Sequence, residues 1–236
     1  MSTEHLLRVP ARFCGPPTSA NGGYVAGLVA AAMGRNVIVR LVGPPPLDTD
    51  LTLRADAQGQ WRLYAGDRAV IEVRDGGPDL QPPEPCDSVT ARAASIEGAA
   101  GFIHPCPGCF VCGPARAPGD GLRLWAGAVP GRDIVATPWV PADEFAQADG
   151  KIAPEIIAAA LDCPGYMALR SGGESWLLGE YSVHIDRRVH PGEACLITGW
   201  ELSRRGRVAT VGTALYDEAG LLCAVARGTW IQPRSG

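Results

Sequence analysis

Asn21-Gly22-Gly23-Tyr24-Val25-Ala26-Gly27-Leu28-Val29-Ala30-Ala31-Ala32 and Ala153-Pro154-Glu155-Ile156-Ile157-Ala158-Ala159-Ala160-Leu161-Asp162 are the stretches on which the reading of this chain turns. Both are Ala-rich and apolar, and each is followed by a run of β-type segments. Thr18-Ser19-Ala20-Asn21 supplies helix-start chemistry for the first. A helix over residues 24–33 would have no solvated side, so other structure must wrap it. Aligned on their starts, the first copy has a glycine pair where the second has Pro154-Glu155. The second copy ends on Asp162 where the first has Ala30. The chain reads as a duplicated unit whose reactive groups are divided between the copies.

Outward from the first stretch, an extended piece over Arg8–Cys14 precedes it. Strands are predicted at Val37–Val42, Leu51–Arg54, Trp61–Tyr64 and Ala69–Val73, separated by turn formers such as Gly43-Pro44-Pro45-Pro46 and Gly66-Asp67. Outward from the second, Leu122–Val129 and Asp133–Val140 read as strands ahead of the helix. Trp176–Ile185, Ala194–Leu202, Val208–Tyr216 and Leu221–Ile231 read as strands after it, with hairpin turns at Arg204-Arg205-Gly206 and Asp217-Glu218-Ala219-Gly220. Residues 74–87 are rich in Gly, Pro, Asp and Glu, and a short helix is predicted at Ser88–Ser95. The expected organisation is an N-terminal repeat over 1–86, a linker over 87–103 and a C-terminal repeat over 104–236.

Composition narrows the classes. A chain of 236 residues with 46% hydrophobic and 19% charged content is a packed globular protein. Net charge is −4 with the basic residues scattered, so no nucleic-acid partner is expected. Met1-Ser2-Thr3-Glu4-His5 lacks the order of a signal peptide, and no apolar run approaches the ~18–20 residues that span a bilayer. A cytoplasmic protein without a membrane partner is expected. Its eight cysteines are then reduced, and serve as small apolar residues, ligands or nucleophiles.

One apolar helix wrapped by a bent antiparallel sheet, occurring twice, resembles the hotdog fold in its tandem form. Cys109-Phe110-Val111-Cys112-Gly113-Pro114 followed by Gly119-Asp120-Gly121-Leu122-Arg123-Leu124 sharpens the match. It is similar to the C-x-x-C-G … G-L-x-L lead-in of many thioesterase-type hotdog proteins. The resemblance implies an α+β tandem (double) hotdog, two antiparallel sheets each wrapping one central helix. It covers most of the second half, and the first half mainly through Asn21-Gly22-Gly23.

Thioesterases of the phenylacetate-degradation type carry His-Gly-Gly, six residues, then Asp on that helix. The glycine amides polarise the thioester carbonyl, and the carboxylate is base or nucleophile. Asn21-Gly22-Gly23 falls on the first part, with Asn for His and Ala30 at the acid position. Asp162 falls on the acid position of the second copy, where Ala153-Pro154-Glu155 replaces the His-Gly-Gly. Asp162 lies roughly 12 Å along the helix from Pro154, too far to serve its own start. Antiparallel packing of the two helices would bring it to Gly22 and Gly23, whose N–H groups suit a developing oxyanion. An acid at a helix C-terminus also opposes the dipole, an exception to local rules of the kind that marks functional sites. Asn21, Gly22, Gly23 and Asp162 are therefore the candidate catalytic residues. Glu155, the reserve, also fits as an ordinary first-turn acid. Asn21-Gly22-Gly23 fits equally as a plain cap and turn, and Asp162 as a cap on Cys163-Pro164-Gly165.

His104, Cys106, Cys109 and Cys112 could supply a tetrahedral zinc site. Their overlapping spacings strain the geometry of one ion, and a distant second pair is missing. A packed turn with small buried cysteines explains them as well, so no metal is favoured. Cys86, Cys163, Cys195 and Cys223 stand alone. His184 and His190 are not where a hotdog hydratase needs its histidine. Arg187, Arg188, Arg204, Arg205 and Arg207 could meet coenzyme A phosphates. The expected function is an acyl-CoA thioesterase-like hydrolase with one composite site between the repeats and no organic cofactor. Its partner is a small acyl-CoA or similar thioester, and the resemblance further implies a homo-oligomer. A non-catalytic protein binding an acyl-thioester or another apolar small molecule is the alternative.

Overall fold

Residues 4–101, 104–170 and 172–234 are described by the computed structural model. Along the chain run β1 (His5–Arg8), α1 (Gly22–Met33), β2 (Val37–Leu41), β3 (Asp50–Ala55), β4 (Trp61–Ala65), β5 (Arg68–Asp75) and α2 (Ser88–Gly101). They are followed by β6 (Gly127–Ala128), β7 (Val135–Trp139), α3 (Pro154–Ala160), α4 (Asp162–Ala168), β8 (Leu177–Ile185), β9 (Cys195–Arg205), β10 (Val208–Tyr216) and β11 (Leu222–Ile231). Phe102 and Ile103, at the end of the expected linker, and Met1–Thr3 lie outside the described residues.

Local chemistry explains where the two central helices begin and end. The Asn21 side chain accepts from the Tyr24 N–H at 2.9 Å and caps α1. Gly34, left-handed at φ 62°, closes it. The second apolar stretch is broken after Ala160, contrary to the expectation of one helix. Pro164 has no N–H to give the Ala160 carbonyl, and its ring crowds that oxygen. Neighbouring strands take up exposed backbone there: the Thr213 hydroxyl donates to the Leu161 carbonyl at 2.9 Å, and the Tyr181 hydroxyl to the Ala158 carbonyl at 2.8 Å.

The helices touch backbone to backbone. A Cβ on Gly23 would lie 2.6 Å from both the Ala158 carbonyl oxygen and the Asp162 Cβ. One on Gly27 would lie 2.6 Å from the Glu155 Cα. Rising numbers on α1 meet falling numbers on α3, so the pair is antiparallel. Gly23 and Gly27, one turn apart on the same face, make the approach possible.

All strands pair antiparallel in the order β1-β3-β4-β5-β2-β8-β11-β10-β9-β7-β6. The expectation of two sheets is corrected here: β2 pairs with β8 through Ile38↔Ser182, Val39↔Tyr181 and Arg40↔Glu180, joining them into one. A free edge at β2 would expose unpaired backbone, and β8 satisfies it. Helix α1 packs on β2 and β8, while α4 packs on β7, β9, β10 and β11.

Other expectations shift at their edges. The strand predicted at Leu122–Val129 shrinks to β6. Leu122 and Leu124 instead donate to the Phe110 and Val111 carbonyls at 2.9 Å, and Arg123 turns the chain at φ 53°. The extended piece expected over Arg8–Cys14 overlaps β1 only at Arg8, since Ala11–Phe13 is a 3₁₀ turn. Helix α2 runs to Gly101, past the expected Ser95. Asp87 caps it, and buried Ala91 and Ala94 join Val129, Ile134 and Trp200 in a second apolar cluster. Among the described residues, no helix is long and apolar enough to cross a membrane.

Candidate functional site

Asp162 opens α4 instead of closing one long helix, so the opposed-dipole argument for it does not hold. It does not cap the Cys163-Pro164-Gly165 turn either. Its Oδ2 reaches across the helix pair, accepting from the Gly23 N–H at 3.0 Å and the Asn21 Nδ2 at 2.8 Å. The Asp162 side chain is buried, and its Oδ1 has no hydrogen-bond partner among the described residues. Burial pushes the carboxyl up to about 7 and charge on Cys109 adds to this, against the Gly23 N–H and Asn21, which favour the ionised form. The structure thus brings Asn21, Gly23 and Asp162 into one hydrogen-bonded group. It also places the Gly23 N–H on Asp162, away from a substrate carbonyl. Gly22, the first residue of α1, has no intrahelical acceptor for its N–H and lines the adjoining cavity.

That cavity, of about 630 Å³, is bounded by the segment before α1, the Leu41–Pro45 turn, the His104–Cys112 segment, α4 and the ends of β8 and β11. It falls within the range of small-ligand pockets and is mostly apolar. Asp162, Cys163, Trp176 and Trp230 line it. Sequence reading missed both tryptophans. Their indole N–H groups are buried without a partner among the described residues. A buried polar atom left unmatched is costly, so these donors and Asp162 Oδ1 are groups a ligand would satisfy.

A knot of sulfur borders the same cavity. Cys109 Sγ stands 3.7 Å from Cys112 Sγ and 3.7 Å from Cys163 Sγ. All three thiols are buried. Hydrogen bonds from Cys112 and Cys163 hold the Cys109 thiol well below the usual range. Burial raises the Cys112 thiol, and hydrogen bonding with Cys109 raises that of Cys163. Cys163, read as solitary, is thus part of the group. Cys106 and His104, read as possible ligands with Cys109 and Cys112, are not in it. The His104 Nδ1 accepts from the Cys106 N–H at 2.9 Å, and burial lowers its pKa. The ring is then neutral with its proton on Nε2, which lies 2.8 Å from Cys112 Sγ and donates to it.

Glu155 sits against Gly27 at the other end of the helix pair and does not border the cavity. Arg187, Arg188, Arg204 and Arg207 are engaged within the chain, Arg207 with the Gln232 carbonyl at 2.9 Å. Arg187 bridges Glu193 and Asp217 at 2.7 and 2.8 Å, Arg188 meets Asp149 at 2.6 Å, and Arg204 meets Glu201 at 2.7 Å. His184 bridges Asn36 and Asp186 on the exposed surface.

No sequence-family model matches the chain, and no curated protein matches it. Solved structures do. The TesB protein of Mycobacterium avium subspecies paratuberculosis superposes with a TM-score of 0.62 over 98% of this chain and 93% of its own, at 13% identity. A candidate thioesterase from Novosphingobium aromaticivorans superposes with a TM-score of 0.60 over 98% and 96%, at 18% identity. A thioesterase superfamily protein is matched over 45% of this chain, which spans about half (52%) of that protein's length, at TM-score 0.42 and 19% identity. The two full-length superpositions and the antiparallel sheet show a hotdog fold, shared with those two proteins. At these identities the likeness extends to the fold alone.

Proposed function

We propose that the chain is a tandem hotdog that hydrolyses an acyl-CoA or similar thioester at one composite site between its repeats, 1–86 and 104–236. The tandem reading is supported by the order of elements. Outward from the β2–β8 seam the strands run β2, β5, β4, β3, β1 on one side and β8, β11, β10, β9, β7, β6 on the other. Among the described residues each series has four strands after its central helix, preceded by β1 in the first and by β7 and the two-residue β6 in the second.

One observation carries the activity: Asp162 is held twice through Oδ2 and left unmatched at Oδ1, beside an apolar cavity. Asn21 and Gly23 orient the carboxylate. As base, Oδ1 takes a proton from water as that water attacks the thioester carbonyl, and returns it to the departing thiolate. As nucleophile, Oδ1 attacks the carbonyl itself, the expelled thiolate takes a proton from solvent, and water hydrolyses the acyl-aspartyl anhydride to the acid and free Asp162. The Gly22 N–H, at the positive end of α1, meets the oxyanion. The tetrahedral intermediate then collapses with loss of the thiol. The indole N–H groups of Trp176 and Trp230 donate hydrogen bonds to polar atoms of the bound thioester, and the acyl chain fills the apolar space. The pairing of Ala30 with Ala153-Pro154-Glu155 is catalytically silent. The resemblance points to a homo-oligomer.

A second reading is supported by the Gly23 N–H being committed to Asp162: the cavity binds an acyl-thioester or another apolar molecule without turning it over. A panel of acyl-CoA esters tests both. Hydrolysis by the wild type that Asp162→Asn abolishes supports the enzyme. A rise in melting temperature with ligand and no turnover supports the binding protein. Equal hydrolysis by wild type and Asp162→Asn removes Asp162 from the mechanism.

A further inference from the structure

The sulfur knot is geometrically suited to a metal ion. Around a tetrahedral zinc with Zn–S bonds of about 2.3 Å, two sulfurs stand about 3.8 Å apart. Cys109 stands 3.7 Å from each of its two neighbours, and all three sulfurs lie within 4.8 Å of one another. We propose that Cys109, Cys112 and Cys163 bind one zinc ion as thiolates, with the fourth coordination position facing the cavity that all three border. Chain-distant segments supply the ligands: two from the Cys-x-x-Cys turn and one from α4.

The turn is held in shape before any ion arrives. The Gly113 N–H donates to the Cys109 carbonyl at 2.9 Å, and a Cβ at Gly113 would lie 2.5 Å from two carbonyl oxygens. Phe110 N–H donates to the Cys14 carbonyl at 2.8 Å, and Arg116 binds the Gly108 and Arg12 carbonyls at 2.7 Å each. These bonds fix the two turn sulfurs relative to the body of the fold.

His104 is excluded as a ligand by its own hydrogen bonds. With Nδ1 taken by the Cys106 N–H, Nε2 carries the proton and cannot donate a lone pair to zinc. It supports the site from outside, directing its N–H at the Cys112 sulfur. Loading exchanges three thiol protons for one Zn²⁺. The site then has a net charge of −1, which the His104 N–H partly offsets. A disulfide is the competing chemistry, but it would join only two of the three sulfurs.

This inference stands apart from the thioesterase reading, since an inactive binding protein can hold the same ion. Its test uses the full chain without an affinity tag, grown with zinc, and elemental analysis. One zinc per chain is expected. It should be lost in Cys109→Ser, Cys112→Ser and Cys163→Ser, and kept in Cys195→Ser and Asp162→Asn. Should the serine variants fail to fold, Co²⁺ added to metal-stripped wild type reads the ligands directly. Intense visible bands of tetrahedral cobalt with sulfur-to-cobalt charge transfer are expected, bleached by Zn²⁺. Absence of both zinc and a cobalt spectrum would overturn the site. A disulfide among these cysteines in freshly purified protein, or loss of zinc in Asp162→Asn, would overturn the three-thiolate assignment.

Discussion

Asp162 has unequal oxygens. Oδ2 is tied to Asn21 and Gly23, and Oδ1 has no partner among the described residues. Replacing the carboxylate by an amide keeps the volume and removes the base. Asp162→Asn should therefore lower kcat on a responsive acyl-CoA by roughly 10²–10⁴-fold, measured by release of free thiol. Gly23 is constrained from two sides, its would-be Cβ at 2.6 Å from the Ala158 carbonyl and from Asp162. Gly23→Ala must push the helices apart or tilt Asp162. We expect a loss of about 1–3 kcal/mol in chemical denaturation together with reduced turnover. A Gly23→Ala protein of wild-type stability would show that the approach of α1 to α3 is looser than described.

The break between α3 and α4 shows how one element serves two purposes. Pro164 ends α3 at Ala160, and Thr213 and Tyr181 satisfy carbonyls around the break. Tyr181→Phe leaves the buried Ala158 carbonyl without that donor, at a cost of about 1–3 kcal/mol in equilibrium unfolding. The loop between β8 and β9 is tied by Arg187, which bridges Glu193 and Asp217. The Arg187 hydrogen bond holds the Glu193 carboxyl below its ordinary range, opposed by burial and assisted by the His190 N–H and ring. A lowered folded pKa contributes stability that is present above the ordinary carboxylate range and lost as pH falls through the folded value. Arg187→Gln should flatten the acid limb of a melting-temperature-against-pH curve. An unchanged limb would assign acid sensitivity to other carboxyls.

At the scale of the whole molecule, the β2–β8 seam and the α1–α3 contact tie the N-terminal and C-terminal strands into one sheet. The chain should unfold in a single transition, with far-ultraviolet circular dichroism and tryptophan fluorescence coincident along urea. Two separated transitions would mean that the halves are stable alone and the seam is weak. The cavity, bordered by α1, α4 and the Cys109–Cys112 turn, depends on the same docking.

Much of the architecture was legible in local pattern. Asn21 as a cap, the apolar helix it starts and nearly every strand after each helix follow from side-chain period and turn chemistry, which act within a few residues. The spacing of Asp162 also implied that its partner must lie on another helix. Three features needed tertiary structure. Helix α3 ends early because Pro164 acts four residues back and strands from elsewhere absorb the exposed carbonyls. The Gly23 N–H is spent on Asp162 because Gly23 and Gly27 let two backbones meet. Cys163 joins Cys109 and Cys112 because folding carries α4 across 54 residues of chain to the turn. Local sequence sets which groups each element presents. Which groups meet is set by packing between elements distant in the chain, and no window of sequence contains that information.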